Sequence, residues 1–528
     1  MAKKTHPTRS SLRVKNTPKF VFIVGGVLSG VGKGVTSASL GAIMRSKGFR
    51  ATALKADPYV NVDAGTMNPT EHGEVFVTND GDETDQDMGN YERFLHTELT
   101  STNYMTTGRV YQSVIERERS MKYKGKCVQV VPHIPEEIIR RVQEAQKEAD
   151  AQMVIMEIGG TVGEYENILF LEAIRELKLK RPNDVAVVLV SYLPVPKHIG
   201  EMKTKPTQHA ARALNSAGLT ADLIVARGEF ELAQPRKEKL ATFCGVAKQN
   251  CISAPDVASI YDIPLKLEEQ DFGNKILSVL GLSKKKSNLE SWQKLSKKIQ
   301  TAKKQVNIAV VGKYFGTGQY TLSDSYISVI EAIKHAAWSQ HAQPVLEWVD
   351  SEQFEEKPEQ IKMLKKFDGI LVPGGFGTRG IEGIISTVQY AREQNIPYYG
   401  ICYGMQLACV EFVRNVVGKK EAHTVEVNEK TREPVIHVNP KQVKNIRSNR
   451  YGGTMRLGAY DCTLTEGSIS RKAYKQKTIS ERHRHRYEFN NAYREEIHAA
   501  GLEVVGVNEQ TDLVEIVELK NHPFFVWL

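Results

Sequence analysis

The sequence predicts an α/β protein made of two doubly wound, mostly parallel-sheet domains. Three observations carry that prediction. Short apolar runs (Phe20–Val24, Gln152–Ile158, Asp184–Ser191) alternate with helical stretches (Pro135–Ala149, Glu166–Leu177, Gln208–Leu214), the rhythm of βαβ units. Several runs end abruptly on glycines, at the strand ends where open α/β sheets hold their ligands. The rhythm breaks at the polar, lysine-rich stretch 282–305 and restarts at Val306. The expected organisation is therefore a basic arm over 1–17, a first domain over 18–281, a linker over 282–305 with a short helix around Trp292, and a second domain over 306–528.

Composition sets the outer limits. A chain of 528 residues is too long for one ordinary core. Its 41% hydrophobic and 25% charged residues are those of a soluble globular protein. The net charge of +9 is spread over scattered surface clusters at Lys284–Lys286, Lys297–Lys298 and Arg482–Arg486. That spread reads as solvated surface rather than a nucleic-acid site, and small polyanions such as nucleotides would also suit a positive balance. No apolar run reaches the ~18–20 residues of a membrane span. The arm lacks the apolar centre of a secretory signal. The six cysteines contain no Cys-x-x-Cys pair, which points to a reducing, cytoplasmic setting.

The first glycine turn is Val24-Gly25-Gly26-Val27-Leu28-Ser29-Gly30-Val31-Gly32-Lys33-Gly34-Val35. It follows a strand and precedes a helix, Ser37–Met44. Backbone N–H groups and a helix N-terminus there form a phosphate cradle, and Lys33 adds a point charge. The same glycines would also serve a plain tight strand–helix turn. The fit to the usual phosphate-loop pattern is imperfect: Val27 stands at the first glycine position, and Gly34 replaces the hydroxyl residue that normally meets Mg²⁺. A metal must then find other ligands.

Arg50–Leu54 reads as a second strand leading to Asp57-Pro58-Tyr59. The acidic stretch from Asn79 to Gly89 offers carboxylates, including Asp87, that suit Mg²⁺. Taken alone it also suits a solvated loop. Glu157 shifts the balance, because a carboxylate at the end of a buried strand, just before Gly159-Gly160, is costly unless a cation meets it. Lys203-Thr204-Lys205-Pro206-Thr207-Gln208 fits a second phosphate group or an exposed loop equally well.

In the second half, Asp368–Gly377 runs from strand into a glycine loop whose N–H groups could face an oxyanion. Pro397–Gln406 is a strand, then Cys402 flanked by Gly400 and Gly404, then a helix. This is the form of a nucleophile elbow with cysteine in place of serine, and the helix N-terminus favours thiolate. No histidine–carboxylate partner is obvious nearby. Arg482–Glu488 reads as a substrate clamp rather than a base.

These motifs together resemble the CTP synthase family of glutamine amidotransferases, from about Pro18 to Phe525. The resemblance rests on Asp57-Pro58-Tyr59 with Asn61-Val62-Asp63, His72–Val77, Glu157–Gly163, Lys203–Gln208, Pro373–Gly377 and Arg482–Glu488. It implies a phosphate-loop amidoligase domain joined to a class I glutaminase domain. ATP would phosphorylate the 4-oxygen of UTP, and ammonia would displace the phosphate to give CTP. By correspondence, Gly30, Val31, Gly32, Lys33, Gly34 and Val35 would cradle ATP phosphates, with Lys33 also catalytic. Pro255, Asp256 and Val257 would lie near the ATP base, and Asp87 and Glu157 would hold Mg²⁺. Ser29, Glu164, Tyr165, Glu166, Lys203, Thr204, Lys205, Pro206, Thr207, Gln208 and Lys239 would contact UTP or CTP. Cys402 would form the thioester, with Gly375, Tyr403, Gly404, Met405, Gln406, Glu426 and Arg484 holding glutamine. The resemblance further implies a cytoplasmic homotetramer, activated by GTP and inhibited by CTP, with no nucleic-acid or membrane partner. Tyr403 departs from the leucine that many members carry.

A larger departure follows Phe524-Phe525-Val526. Family members continue through Gln-Phe-His-Pro-Glu and a last helix, where this sequence reads Trp527-Leu528. The expectation is that Cys402 lacks the triad histidine and glutamate. His522 belongs to a separate Asn-His-Pro element just upstream and is not assumed to stand in. Glutamine use should then be impaired, a covering helix lost, and free ammonia should become the main nitrogen source. Two other readings are another phosphate-loop ligase joined to a glutaminase, which Lys203–Gln208 argues against, and a non-catalytic assembly partner of an intact CTP synthase, which Lys33, Asp87 and Glu157 argue against.

Overall fold

The structure is a computed structural model that describes residues 17–198, 200–313, 323–439, 442 and 452–528. All of the expected basic arm except its last residue lies outside the described residues. The chain forms two compact units. One comprises residues up to Tyr59 with Val110–Leu289, and the other comprises Val60–Arg109 with Glu290–Leu528.

In the first unit, β1 (Lys19–Gly26) runs into α1 (Lys33–Ser46) and then β2 (Ala51–Asp57). The next strands are β3 (Met153–Ile158), β4 (Val185–Tyr192), β5 (Leu223–Gly228) and β6 (Cys251–Pro255). They pair in the order β2-β3-β1-β4-β5-β6, every pair parallel. Strands covered on both faces need apolar side chains throughout. Accordingly β2 and β3 are buried at every position, and β1 at all but Lys19. The helix expected at Ser37–Met44 begins at Lys33, so the lysine sits in its first turn.

The lysine-rich stretch after Gly281 is tied down rather than loose. Lys47, at the end of α1, donates its ammonium to the Lys285 carbonyl at 2.9 Å and pairs with Glu268. The Lys285 N–H donates to Asn274 Oδ1 at 2.9 Å, the Asn288 N–H donates to the Ser46 carbonyl at 3.1 Å, and the Lys285 ammonium lies 4.0 Å from the Phe49 ring centroid.

The second unit begins its helical frame with α2 (Glu290–Thr301), which buries Trp292 as its sequence suggests. Its sheet contains β7 (Lys304–Gly312), β8 (Ala342–Asp350), β9 (Gly369–Val372), β10 (Tyr398–Gly400), β11 (Arg456–Leu464), β12 (Thr478–His485), β13 (Leu502–Asn508), β14 (Leu513–Leu519) and β15 (Phe525–Trp527). The order is β8-β7-β9-β10-β15-β14-β13-β11-β12. Pairing is parallel from β8 to β15 and antiparallel from β15 onward. The parallel half is the α/β fold read from the sequence. In the antiparallel half, β13, β14 and β15 follow one another through short links that cannot span a parallel crossover.

Three helices pack on the parallel half: α3 (Ile327–Ser339), α4 (Ile381–Glu393) and α5 (Tyr403–Phe412). The main core joins α4 and α5 to the sheet through Ile384, Val388, Leu407, Phe412, Tyr398 and Trp527. Beside α3, an apolar groove of about 380 Å³ is lined by Ile308, Ile333, Leu371, Tyr399 and Phe524. No helix among the described residues is long and apolar enough to cross a membrane.

Candidate active sites

In the first unit the site is built at the C-terminal ends of β1, β2 and β3. Lys33 is buried, and its ammonium donates to the Gly160 carbonyl at 2.9 Å. A side chain at Gly25 would collide with it, since a Cβ there would lie 2.8 Å from Lys33 Nζ and 3.0 Å from the Gly160 oxygen. Thus the two glycine turns, after β1 and after β3, close on one lysine. Val27, at the position where the pattern wants glycine, has φ +83°. The backbone conformation of the loop is kept, and a β-branched residue carries the strain.

Around this lysine lie compensated buried charges. The Lys55 ammonium, at the end of β2, donates to Glu157 Oε1 at 3.1 Å and lies 3.6 Å from Asp57 Oδ1. Tyr59 donates its phenol to Asp57 Oδ2 at 3.1 Å. Lys55, Asp57 and Glu157 are all buried, and buried charges persist only when paired this way. Arg227, at the end of β5, faces Gly32: a Cβ on that glycine would lie 3.3 Å from Arg227 Nε. Its guanidinium donates to the carbonyls of Ala254 and Pro255 and to Asp256 Oδ1 at 3.0 Å. Arg227 therefore links the loop over Gly30–Val35 to Pro255 and Asp256, with Val257 next in sequence.

The other expected nucleotide residues divide by exposure. Ser29, Tyr165, Glu166, Lys205 and Lys239 are exposed, and Lys203 and Pro206 are partly so. Glu164 is exposed but accepts hydrogen bonds from the Thr161 N–H and hydroxyl at 2.8 and 2.6 Å. Thr204, Thr207 and Gln208 are buried. Gln208 donates to Thr204 Oγ1 at 3.1 Å and Ser191 donates to Thr207 Oγ1 at 2.9 Å. These three anchor the start of the helix Lys205–Ser216 against β4, and the lysines are the groups left to meet a ligand. Asp87 opens the helix Asp87–Leu95 of the second unit, and its N–H donates to Asp85 Oδ1 at 2.8 Å.

In the second unit the site is the turn from β10 into α5. Cys402 has φ +51° and ψ −100°, the strained turn expected of an elbow. Its flanking glycines are demanded by space. A Cβ at Gly400 would lie 2.8 Å from the Gly404 carbonyl, and one at Gly404 would lie 2.3 Å from the Val372 oxygen. The Cys402 N–H donates to the Leu528 carbonyl at 2.6 Å.

The thiol itself is disfavoured as thiolate. Burial pushes it up to about 12, the carboxylates of Glu426 and Glu488 add to the rise, and only the Tyr403 N–H and the Arg484 charge pull it down. Glu426 is also raised by burial, against the Gly377 N–H that donates to its Oε1 at 2.8 Å. The Gly377 N–H, one of the loop's expected oxyanion donors, is thus committed to Glu426. Its carbonyl accepts from the Tyr403 phenol at 2.7 Å and the Lys313 ammonium at 2.8 Å. Lys313 lies over the Tyr403 ring at 4.5 Å, and burial lowers it to about 8. Tyr403, the residue that departs from leucine, is thereby the hub joining Lys313 to the Gly374–Gly377 loop. Gly375 is partly buried in that loop, Met405 is buried in α5, and Gln406 donates to the Tyr487 carbonyl at 3.1 Å. Arg484 donates from Nε to Glu83 Oε1 at 2.8 Å.

Sequence reasoning missed Lys55, Arg227 and Lys313 as site residues. Each is a cation at or just beyond the end of an apolar strand, the same signal that singled out Glu157.

Comparison with known proteins is consistent along 96% of the chain. Residues 19–282 match the family described as CTP synthase N-terminus, and residues 321–526 match glutamine amidotransferase class-I. The CTP synthase of Bacillus licheniformis is 46% identical over 96% of this chain and 94% of its own length. The chain belongs to the CTP synthase family. A second member, from Caldanaerobacter subterraneus, is 47% identical over 96% of this chain and 93% of its own. Among solved structures, the glutaminase domain of Trypanosoma brucei CTPS with bound acivicin is 38% identical, covering 42% of this chain and 84% of that one, with a TM-score of 0.39.

Proposed function

We propose that the protein makes CTP from UTP in pyrimidine nucleotide synthesis. ATP phosphorylates the uracil 4-oxygen, ammonia adds at C4, and phosphate leaves with that oxygen, so that a C–O bond becomes a C–N bond. The observation that carries this reading is the buried Lys33 ammonium held between two glycine turns by the Gly160 carbonyl. A lysine so placed can give up one carbonyl contact for phosphate oxygens, and the start of α1 supplies N–H groups beside it. Arg227 orients the segment Pro255–Val257 for the nucleotide base. Lys203 and Lys205 present charge to the phosphates of the acceptor nucleotide.

Within the first unit, Glu157 would hold Mg²⁺. A buried carboxylate whose present partner is an ammonium fits a cation site, and Mg²⁺ needs few protein ligands because phosphates and water supply the rest. When bound, Mg²⁺ neutralises phosphate charge during phosphoryl transfer. GTP activation, CTP feedback, a homotetramer and a cytoplasmic location belong to the same proposal.

The finer reading concerns nitrogen: free ammonia is the main source for the protein of this sequence. A thiol raised to about 12 holds almost no thiolate at neutral pH, and among the described residues no histidine is hydrogen-bonded to its Sγ. The test supplies UTP, ATP and Mg²⁺ with either ammonium chloride or L-glutamine and follows CTP absorbance. Ammonium should support turnover, with glutamine slower by about 10³-fold or more. Equal rates would overturn the nitrogen assignment, and no CTP from either source would overturn the synthase reading.

A further inference from the structure

We propose that Glu83 is a positioning residue for Arg484, fixing one edge of its guanidinium so that the other can take the α-carboxylate of glutamine. The inference rests on the reading above that Arg484 holds glutamine, and it adds a residue from outside the glutaminase sheet.

Glu83 lies in the short strand Glu83–Asp85, paired antiparallel with Val75–Val77. Arg484 lies on β12, opposite Leu457 of β11. The Glu83 side chain is 1% exposed and that of Arg484 24%. Glu83 Oε1 accepts from Arg484 Nε at 2.8 Å, while the Gly65 carbonyl accepts from Nη2 at 3.2 Å. Glu83 Oε2 is held in turn by the Gly453 N–H at 3.3 Å. Gly65 makes the approach possible, because a Cβ there would lie 2.1 Å from Glu83 Oε2.

The two contacts fill the Nε–Nη2 edge of the guanidinium. The terminal Nη1–Nη2 edge keeps two N–H groups in the spacing that matches a carboxylate, and no described residue accepts from Nη1. The arginine two residues earlier shows what a purely structural partner looks like. Arg482 gives Nε to Asn79, and Nη1 and Nη2 to the two oxygens of Glu92 at 2.9 and 3.0 Å, leaving no open edge. Arg484 also lies within the electrostatic reach of Cys402, whose thiol its charge lowers. A buried carboxylate thus orients a largely buried arginine and leaves its terminal edge for a ligand.

The test is equilibrium binding of L-glutamine to the full chain by isothermal titration, in a Cys402→Ser background that blocks hydrolysis. Glu83→Ala should weaken binding about tenfold, as expected for losing one charged hydrogen bond. Glu83→Gln keeps an oxygen facing Nε and should weaken it only about two- to threefold. In an Arg484→Ala background, Glu83→Ala should add no further loss, because Glu83 acts through that arginine. Unchanged binding in Glu83→Ala alongside lost binding in Arg484→Ala overturns the positioning role and leaves the glutamine reading intact. Unchanged binding in Arg484→Ala overturns that reading. An equal loss from Glu83→Ala with and without Arg484 assigns Glu83 to the fold and overturns the proposal. Should Glu83→Ala fail to fold, Glu83→Gln decides, and binding equal to the parent is the negative result.

Discussion

At the end of β1 the chain turns through Gly25–Gly32 into α1, and at the end of β10 it turns through Ile401 and Cys402 into α5. Both turns follow a buried parallel strand, and both present one reactive group at the start of a helix. They use glycine for different reasons. Gly30 has φ +70° with no atom within 4 Å of a Cβ, so it is needed for conformation, whereas Gly400 needs space against Gly404. They also treat charge differently. The first turn gathers full charges and pairs them, with Lys33 on a carbonyl and Lys55 between Asp57 and Glu157. The second collects groups whose charged forms burial disfavours: the Cys402 thiol and the Glu426 carboxyl rise, and the Lys313 ammonium falls to about 8. A site of paired charges is ready for a polyanion, whereas a site of disfavoured charges has to be activated.

That contrast can be broken by experiment. The largest effect is expected at Lys33, where Lys33→Ala should lower CTP formation by about 10²–10³-fold or more with ammonium as nitrogen source, while Cys402→Ala leaves the ammonium rate within about twofold, because the thiol makes no contact in ammonia-dependent chemistry. Both are read in one absorbance assay. If Cys402→Ala matched the loss from Lys33→Ala, the two turns would not be chemically separable.

A smaller effect separates space from conformation. Gly400→Ala forces a methyl into the Gly404 backbone and should cost about 3 kcal/mol, at the upper end for overpacking. Gly30→Ala meets no neighbour and should cost about 1–2 kcal/mol, for the left-handed backbone alone. Calorimetric unfolding of the full chain compares them, and equal shifts would remove the distinction.

A third effect is one of pH. Lys313 titrates near 8 in the folded protein, against 10.5 for an ordinary lysine. Between those values the unfolded chain binds more protons, so stability should rise with pH across this window and the cost of the buried charge should be greatest below pH 8. Lys313→Met should flatten the rise, as measured by urea midpoints at several pH values. A parallel dependence in both proteins would show that the lysine is not desolvated.

Much of the fold was legible because parallel strands buried on both faces leave continuous apolar runs, and those of β1, β3 and β4 stand out. The antiparallel half of the second sheet was less legible, since β11 mostly alternates buried and half-buried positions and β12 buries only Ile479, neither with a strong apolar run. Glu157 and Cys402 could be found because each breaks an apolar strand or its glycine turn. Arg227 and Lys313 break the same kind of strand end but look like ordinary surface cations until their partners are seen. The Glu83–Arg484 contact could not be read at all, because it joins residues about four hundred positions apart whose neighbours in sequence carry no shared pattern.

Lys284–Lys286 fall in the polar, lysine-rich stretch that reads in sequence as a linker. In the fold this run and its flank are fastened through the backbone: the Lys47 ammonium and Asn274 Oδ1 hold the Lys285 carbonyl and N–H, and the Ser46 carbonyl holds the Asn288 N–H. A protease must thread several residues of extended chain through its cleft, so these contacts have to open first. The lifetime of the run toward trypsin is then set by a local opening equilibrium at the C-terminal end of α1 rather than by the number of lysines it contains.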